Sequence, residues 1–313
     1  MIILTGGAGF IGSNLLKELN KQQISDIVIV DDIDHPFKAE NLVNSKYKEI
    51  VPINDFWEWV EQNKNLNVDV IFHLGACSDT LEKDKDYLYE NNVVYSQKLW
   101  QLAIKHDSNF IYASSAATYG DGALGFSDDH SLVPNLKPLN LYGESKQEFD
   151  LWVLKQFKTP PLWVGLKYFN VFGPGEAHKG RMASVIWHFI NQLKNGEDLK
   201  LFGPSHGFKA GEQKRDFIYV QDAVNMTIYA QRKKIPSGIY NVGTGRASTF
   251  NELASAIIPI VGEKKVQYIP FPKDLIISYQ AFTCADMAKF NNVNYDVNPF
   301  NLKEGIKEFF NNA

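Results

Sequence analysis

Tyr142 and Lys146 lie four residues apart at the start of a helical pattern, and this spacing places both side chains on one face of the helix. A tyrosine with the ordinary pKa of about 10 is a poor base at neutral pH. A neighbouring ammonium group favours the phenolate and makes the tyrosine a better proton acceptor. The pair therefore predicts proton-transfer chemistry, although a surface tyrosine beside a solvated lysine has the same spacing.

A hydroxyl-rich turn follows the strand predicted over residues 110–113 and contains Ser114, Ser115 and Thr118. The turn comes at the carboxyl edge of the predicted sheet, where ligands of parallel α/β folds bind. A serine hydroxyl there is placed to bridge a substrate oxygen and Tyr142. The alternative interpretation is a turn whose hydroxyl groups have a structural role alone.

A glycine-rich turn with Gly6, Gly9 and Gly12 separates a short apolar strand from an amphipathic helix that begins at Phe10. The first glycine permits a tight turn, the second lets a pyrophosphate approach the backbone, and the third lets the helix pack against the strand. The N–H groups and positive dipole of the helix N-terminus then face the phosphates. The pattern predicts binding of a nicotinamide dinucleotide, whose positive ring also favours the Tyr142 phenolate.

Two residues bear on the choice between NAD and NADP. Asp31 ends the second predicted strand, where an acid hydrogen-bonds the adenosine ribose hydroxyls of NAD. Lys38 follows shortly afterwards and is suited to pairing with the 2′-phosphate of NADP. Each cofactor has one indication, so both remain open at this stage.

Short apolar runs alternate with longer amphipathic ones along the first half of the chain, which predicts an α/β fold with a Rossmann doubly wound parallel sheet. A helix is expected over residues 88–105. The regularity decays after residue 168, which predicts a smaller C-terminal substrate-binding lobe, and a further strand is expected over residues 215–220. The expected NAD(P)-binding domain comprises residues 1–171 and 217–245. The expected substrate-binding lobe comprises residues 172–216 and 246–313.

Composition excludes several classes of function. The 313 residues are 44% hydrophobic with a formal net charge of -4, and no long run of Lys or Arg indicates a nucleic acid or membrane partner. Cys77 and Cys284 are too few for a disulfide framework and lack zinc-site spacing, so no metal is expected. Without an apolar leader or a run of about 20 apolar residues, the expected location is the cytoplasm.

With these motifs, the chain resembles the extended short-chain dehydrogenase/reductase family, which includes the NAD-dependent epimerases and dehydratases. The resemblance extends over essentially the whole length. It is carried by the glycine turn, the Ser115 region, the Tyr142-x-x-x-Lys146 pair, and residues 168–174, 215–220 and 240–245.

Within that family the chain is most similar to the 6-epimerases of ADP-glycero-manno-heptose, through residues 75–78, 178–180, 182–185 and 279–283. This resemblance implies inversion of C6″ of the ADP-activated sugar for lipopolysaccharide core synthesis. It also implies a tightly held NADP, no net redox change, and a homo-oligomer.

The same resemblance implies roles for individual residues. Tyr142 and Lys179 are the two acid/base residues, each serving one epimer, with Ser115 assisting and Lys146 holding the cofactor. The implied cofactor-binding residues are Gly6, Gly9, Phe10, Ile11, Gly12, Asp31, Asp32, Lys38, Gly75, Ala76, Cys77, Ser78, Asn91, Lys146, Val171 and Lys179. The implied substrate-binding residues are Ser115, Asn170, His188, Phe202, Ser205, Arg215 and Tyr279.

Two departures leave the identity of the sugar nucleotide open. Arg181 stands where a small polar residue is expected, and residues 210–213 form an apparent insertion before Arg215. The alternatives are a UDP-hexose 4-epimerase, which has no use for Lys179, another nucleotide-sugar epimerase of the same family, and a dinucleotide-binding protein without catalysis.

Overall fold

The computed structural model describes residues 1–262, 264–295 and 297–312. The strands are β1 (Ile2–Thr5), β2 (Ile27–Val30), β3 (Glu49–Val51), β4 (Val70–His73), β5 (Asn109–Ser115), β6 (Trp163–Tyr168), β7 (Asn170–Phe172), β8 (Leu199–Phe202), β9 (Lys214–Arg215), β10 (Phe217–Tyr219), β11 (Gly238–Val242), β12 (Ser248–Thr249) and β13 (Val266–Ile269). The α-helices are α1 (Phe10–Lys21), α2 (Pro36–Asn41), α3 (Phe56–Gln62), α4 (Lys85–Tyr89), α5 (Tyr95–Lys105), α6 (Leu141–Val153), α7 (Val185–Lys194), α8 (Val220–Arg232), α9 (Phe250–Val261), α10 (Ala288–Asn291) and α11 (Leu302–Asn312).

Seven parallel strands form the central sheet in the order β11-β6-β5-β4-β1-β2-β3. The strand order therefore reverses between β1 and β4, and in open α/β sheets ligands bind at the carboxyl ends of the strands beside such a reversal. The prediction of a Rossmann doubly wound parallel sheet is confirmed.

The strands are continuous apolar runs because helices cover both faces of the sheet. Ile3, Val28 and Ile71 share one buried cluster with residues of α3, α5 and α6. Leu4 and Ile29 point to the other face and pack with residues of α1 and α8. The alternation places the two hydrophobic layers on opposite sides of the same strands.

The later part of the chain adds small two-stranded sheets. β8 pairs with β13 in parallel, β9 pairs with β12 antiparallel, and β7 pairs with β10 in parallel. α7 and α9 bury apolar residues beside β8. The division into residues 1–171 with 217–245 and residues 172–216 with 246–313 stays a prediction.

Several local predictions need correction. The helix expected over residues 88–105 is interrupted by a π-helical turn, Glu90–Val94, and such turns often occur at functional sites. The strand expected over residues 215–220 is divided at Asp216, whose carboxylate accepts hydrogen bonds from Thr244, Gly245 and Ala285. Within the described ranges, no helix is long and apolar enough to cross a membrane.

Candidate active site

The glycine turn connects β1 to α1 at the point where the strand order reverses. Gly6 has a φ of 68°, and a Cβ atom there would lie 2.6 Å from the backbone nitrogen of Gly75. A Cβ atom on Gly12 would overlap the carbonyl oxygen of Gly6. A Cβ atom on Gly9 would have only the Gly6 carbonyl group near it, with the oxygen at 3.1 Å. The outer side of Gly9 is therefore open, and no side chain caps the N-terminus of α1. This backbone fits the pyrophosphate of a dinucleotide.

Asp31 directly follows β2 and is almost completely buried beneath the glycine turn. One carboxylate oxygen accepts a hydrogen bond from the Ala8 backbone N–H at 2.9 Å. The other is 2.7 Å from the Lys38 ammonium group, on α2. Asp31 thus holds the turn in place while Lys38 balances its charge. Asp32 is exposed, and its carboxylate accepts the backbone N–H of Ile53.

The loop after β4 contains the predicted cofactor residues Gly75, Ala76, Cys77 and Ser78. The Gly75 backbone N–H donates to the Thr5 hydroxyl at 3.1 Å, which connects this loop to the end of β1. The pKa of the Cys77 thiol is raised, mainly by burial. The two loops form adjacent walls at the carboxyl ends of β1 and β4.

Asn92 is a residue of this site that sequence reasoning missed. Its side chain hydrogen-bonds both the N–H and the carbonyl oxygen of Cys77, at 2.9 and 3.0 Å, and donates to the Ser145 hydroxyl on α6 at 3.0 Å. The predicted residue Asn91 instead donates to the Tyr87 carbonyl oxygen. The available signal was a buried asparagine inside a helical pattern, because such an amide must find hydrogen-bond partners.

Ser115, Tyr142 and Lys146 come together between β5 and α6. The side chain of Asn140 caps α6 through the Gly143 N–H, which places Tyr142 in the first turn. Burial raises the pKa of Tyr142, and a hydrogen bond with Ser115 opposes that rise. The Lys146 ammonium donates to the Ala113 carbonyl oxygen at 3.0 Å, and burial lowers its pKa to about 8.

Lys179 lies in a 3₁₀ turn, Ala177–Met182, that faces the N-terminus of α1. Its ammonium nitrogen is 5.6 Å from the centre of the Phe10 ring. Burial lowers the pKa of Lys179, and the carboxylate of Glu176 opposes this effect. Glu176 is itself buried and accepts hydrogen bonds from the backbone N–H of Gly173 and of Ser184. These hydrogen bonds hold the two ends of the loop that contains Lys179 together.

The Lys179 loop is attached to the glycine turn by two asparagine side chains. Asn41 donates to the carbonyl oxygens of Ala8 and Gly175, both at 3.1 Å. Asn14 donates to the Pro174 carbonyl oxygen at 2.9 Å. These contacts place Lys179 beside the expected dinucleotide, and sequence reasoning did not identify either asparagine.

Four of the predicted substrate residues, Phe202, Ser205, Arg215 and Tyr279, lie in or near β8 and β9. Arg215 is buried, and its guanidinium carbon lies 4.7 Å from the centre of the Tyr279 ring. Phe202 and Phe271 pack edge-on against the same ring, at 6.3 and 5.0 Å between centroids. The Ser205 hydroxyl accepts a hydrogen bond from Gln213 at 2.8 Å. A buried cation within an aromatic cluster fits a diphosphate joined to a flat base.

Three further predicted residues lie outside this aromatic cluster. The Asn170 side chain accepts a hydrogen bond from the Thr283 hydroxyl at 3.1 Å, and Val171 is the next residue of β7. His188 is on α7, with its Nε2 atom 3.4 Å from the Arg181 carbonyl oxygen.

The two departures from the family pattern have defined structures. The Arg181 guanidinium forms an ion pair with Asp79 at 2.9 Å, which connects the Lys179 loop to the loop after β4. In the apparent insertion, the Gly211 N–H donates to the Phe202 carbonyl oxygen, and Asn251 of α9 donates to the Ala210 carbonyl oxygen. Both features border the site without occupying its centre.

Known proteins have similar sequences and the same fold. Residues 2–243 match the NAD dependent epimerase/dehydratase family. A curated relative from Fusobacterium nucleatum, named ADP-L-glycero-D-manno-heptose-6-epimerase, is 42% identical over 100% of this chain and 97% of its own length. The Helicobacter pylori enzyme of that name has a solved structure with a TM-score of 0.84 at 30% identity, covering 99% of this chain and 95% of that one. A Thermotoga maritima UDP-glucose 4-epimerase structure has a TM-score of 0.80 at 25% identity, covering 99% and 98%. This chain therefore belongs to the NAD-dependent epimerase/dehydratase family, whose cofactor is a nicotinamide dinucleotide.

Proposed function

We propose that this protein inverts C6″ of ADP-glycero-manno-heptose by transient oxidation and re-reduction, in the synthesis of the lipopolysaccharide core. The observation that carries the proposal is that two side chains able to transfer a proton approach the expected dinucleotide site from different elements. Tyr142 lies on α6, and Lys179 approaches from a separate loop beside α1. The full-length relatives of that name support the choice of sugar nucleotide.

Inversion through a ketone needs either a sugar that turns over against one proton-transfer group or a proton-transfer group on each side of the carbon, and two such groups favour the second route. One group removes the hydroxyl proton when the first epimer is oxidised, and the other donates a proton to the oxygen when the second epimer forms. When bound, the nicotinamide supplies the chemistry of taking and returning a hydride. Tyr142 and Lys179 are suited to these two roles because they belong to different elements.

The remaining side chains bind and orient. Ser115 hydrogen-bonds Tyr142 and is placed to hold the same substrate oxygen. Lys146 donates a hydrogen bond to the Ala113 carbonyl oxygen of β5. Its ammonium group is expected to contact the nicotinamide ribose. Arg215 supplies a buried cation for the diphosphate, and the Tyr279 and Phe202 rings supply an apolar surface for the base.

We further propose that NADP is the preferred dinucleotide. Asp31 alone would repel a 2′-phosphate, but its carboxylate is already engaged by the Ala8 N–H and the Lys38 ammonium. Lys38 remains partly exposed, with 26% of its side chain accessible. A cation at this position can form an ion pair with the 2′-phosphate of NADP, whereas the 2′-hydroxyl of NAD carries no charge.

The test begins with denaturing release and mass spectrometry of any dinucleotide that purifies with the protein. The native enzyme is then incubated with ADP-D-glycero-D-manno-heptose, and the two epimers are resolved by chromatography. Interconversion with NADP bound supports the proposal. A protein that holds the dinucleotide but leaves this sugar unchanged contradicts it, and UDP-glucose and UDP-galactose are then assayed for 4-epimerisation.

A further inference from the structure

A buried network of charged and hydroxyl side chains lies directly behind the Ser115, Tyr142 and Lys146 group. Its centre is Asp150, one helical turn after Lys146 on α6 and completely inaccessible to solvent. The Asp150 carboxylate is 2.6 Å from the ammonium of Lys167 on β6. It also accepts hydrogen bonds from the Tyr112 hydroxyl at 2.9 Å and the Ser114 hydroxyl at 2.7 Å.

The network continues from Lys167 to the turn that carries Ser115. The Lys167 ammonium donates a second hydrogen bond to the Thr118 hydroxyl at 2.7 Å. That hydroxyl donates in turn to the backbone carbonyl oxygen of Ser115 at 2.8 Å. A continuous path of polar contacts therefore runs from α6 through β6 to Ser115.

The chemistry of this path indicates a role beyond stability. A buried ion pair loses so much solvation that well-packed apolar side chains of similar size are often as stabilising. The Asp150–Lys167 pair joins the helix that carries Tyr142 and Lys146 to β6. From Lys167 the contacts continue through Thr118 to the turn that carries Ser115. Burial lowers the pKa of Lys146, and the Asp150 charge opposes that effect.

We propose that Asp150, Lys167 and Thr118 are positioning residues that hold the Ser115 turn in register with the helix that carries Tyr142 and Lys146. The inference rests on the proposed function, because it assumes that Tyr142 transfers a proton with the help of Ser115 while Lys146 holds the cofactor. Thr118 is the position at which it can be tested with least disturbance. Its side chain is fully buried, and valine has nearly the same shape without the hydroxyl.

The first experiment compares Thr118→Val with Thr118→Ser. The valine variant is expected to lower kcat by at least about tenfold, because small misplacements of reacting groups are costly. KM should change by less than about threefold, since the substrate contacts are retained. Serine keeps the hydroxyl and should restore most of the kcat.

Thr227→Val is the matched control. Thr227 is also fully buried, and its hydroxyl donates to the Ala223 carbonyl oxygen at 2.7 Å and hydrogen-bonds the Tyr168 hydroxyl. It lies on α8, on the opposite face of the sheet from α6. Its valine variant should lower the Tm as Thr118→Val does but retain kcat. An equal loss of kcat in both variants would overturn the proposal.

A second readout does not depend on turnover. Protein labelled with ¹³C at the tyrosine ring carbon is titrated by NMR, with Tyr142→Phe assigning the Tyr142 signal. The Ser115 hydrogen bond lowers the pKa of Tyr142, so a displaced Ser115 should move the titration of this residue to higher pH in Thr118→Val. The Cys77 thiol is the other ionisable group that acts on Tyr142, and Lys146 lies one turn along α6; neither is altered.

The two readouts separate the two proposals. Wild-type protein that does not interconvert the ADP-heptoses contradicts the proposed function, while the NMR titration still tests the positioning role. An unchanged Tyr142 titration in Thr118→Val would overturn that role. A shift that Thr118→Ser reverses and Thr227→Val does not produce would support it.

Discussion

The Lys179 ammonium nitrogen lies 5.6 Å from the centre of the Phe10 ring, although the two residues are far apart in the sequence. Phe10 begins α1 directly after the glycine turn, so this contact places Lys179 beside the expected pyrophosphate and nicotinamide. A cation over an aromatic face gains about 0.5–2 kcal/mol, enough to orient an otherwise flexible side chain. Lys179 is thus held beside the N-terminus of α1 from a loop outside the central sheet.

Replacing either proton-handling residue should stop epimerisation without releasing the cofactor. Tyr142→Phe and Lys179→Met are each expected to lower kcat by about 100-fold or more, since general acid/base groups contribute at that scale. The measurements are epimer ratios by chromatography and dinucleotide content by mass spectrometry. Lys194→Met, at an exposed position in the last turn of α7, is the control. Full activity in the Lys179 variant would contradict the assignment of two acid/base residues.

Glu176 should set the pH range in which Lys179 carries a proton. Burial lowers the pKa of Lys179, and the Glu176 charge opposes that effect. In Glu176→Gln the opposing charge is absent, so the pKa should fall further and the ammonium should be lost at lower pH. The alkaline limb of the kcat profile is therefore expected to move to lower pH. Glu176→Asp, which keeps the charge, should shift the limb less, and an identical limb in wild type and Glu176→Gln would refute this role.

The regular part of the fold was predictable because local patterns determine it. Buried runs such as residues 27–30 and the glycine turn before Phe10 report strand, turn and helix directly. Helix α8 was missed because it begins at Val220, directly after Tyr219, the last residue of β10, and no side-chain cap marks its start. The strand predicted over residues 215–220 therefore included Val220, which is the first residue of the helix.

The supporting residues of the site were not predictable from spacing. Asn92 reaches Cys77 across 15 positions, and Asn41 reaches Gly175 across 134. Lys167 reads as an ordinary strand residue until β6 places it against Asp150. Such pairs depend on which elements become neighbours, and no local sequence pattern encodes that arrangement.

The Lys38 side chain should determine the preference between the two dinucleotides. Lys38→Met removes the cation near the expected 2′-phosphate and leaves the Asp31 carboxylate unbalanced. We expect NADP affinity to fall by about tenfold or more relative to NAD, because a charge-assisted hydrogen bond contributes about 1.5–3 kcal/mol. Isothermal titration calorimetry of dinucleotide-free protein gives both Kd values. Lys48→Met, at an exposed position, is the control, and an unchanged ratio of the two Kd values would exclude this role for Lys38.

His73 should make the protein less stable in moderate acid. Its ring lies buried between the Thr5 and Ser96 hydroxyls, at 2.7 and 2.8 Å. Burial and then the nearby Lys146 charge lower its pKa to about 3. The unfolded chain binds the His73 proton near pH 6.5, whereas the folded protein does so near pH 3. The contribution of this group is therefore complete above pH 6.5 and is lost progressively as the pH falls toward 3, by at most about 1.4 kcal/mol per pH unit.

Urea unfolding of wild type and His73→Gln at several pH values between 7 and 4 measures this contribution. The variant should be less stable than wild type at pH 7, because glutamine does not reproduce both buried hydrogen bonds. Its free energy of unfolding should fall less steeply with acid than that of wild type, so the two curves should converge. Parallel curves over this range would show that His73 does not titrate differently in the folded and unfolded states.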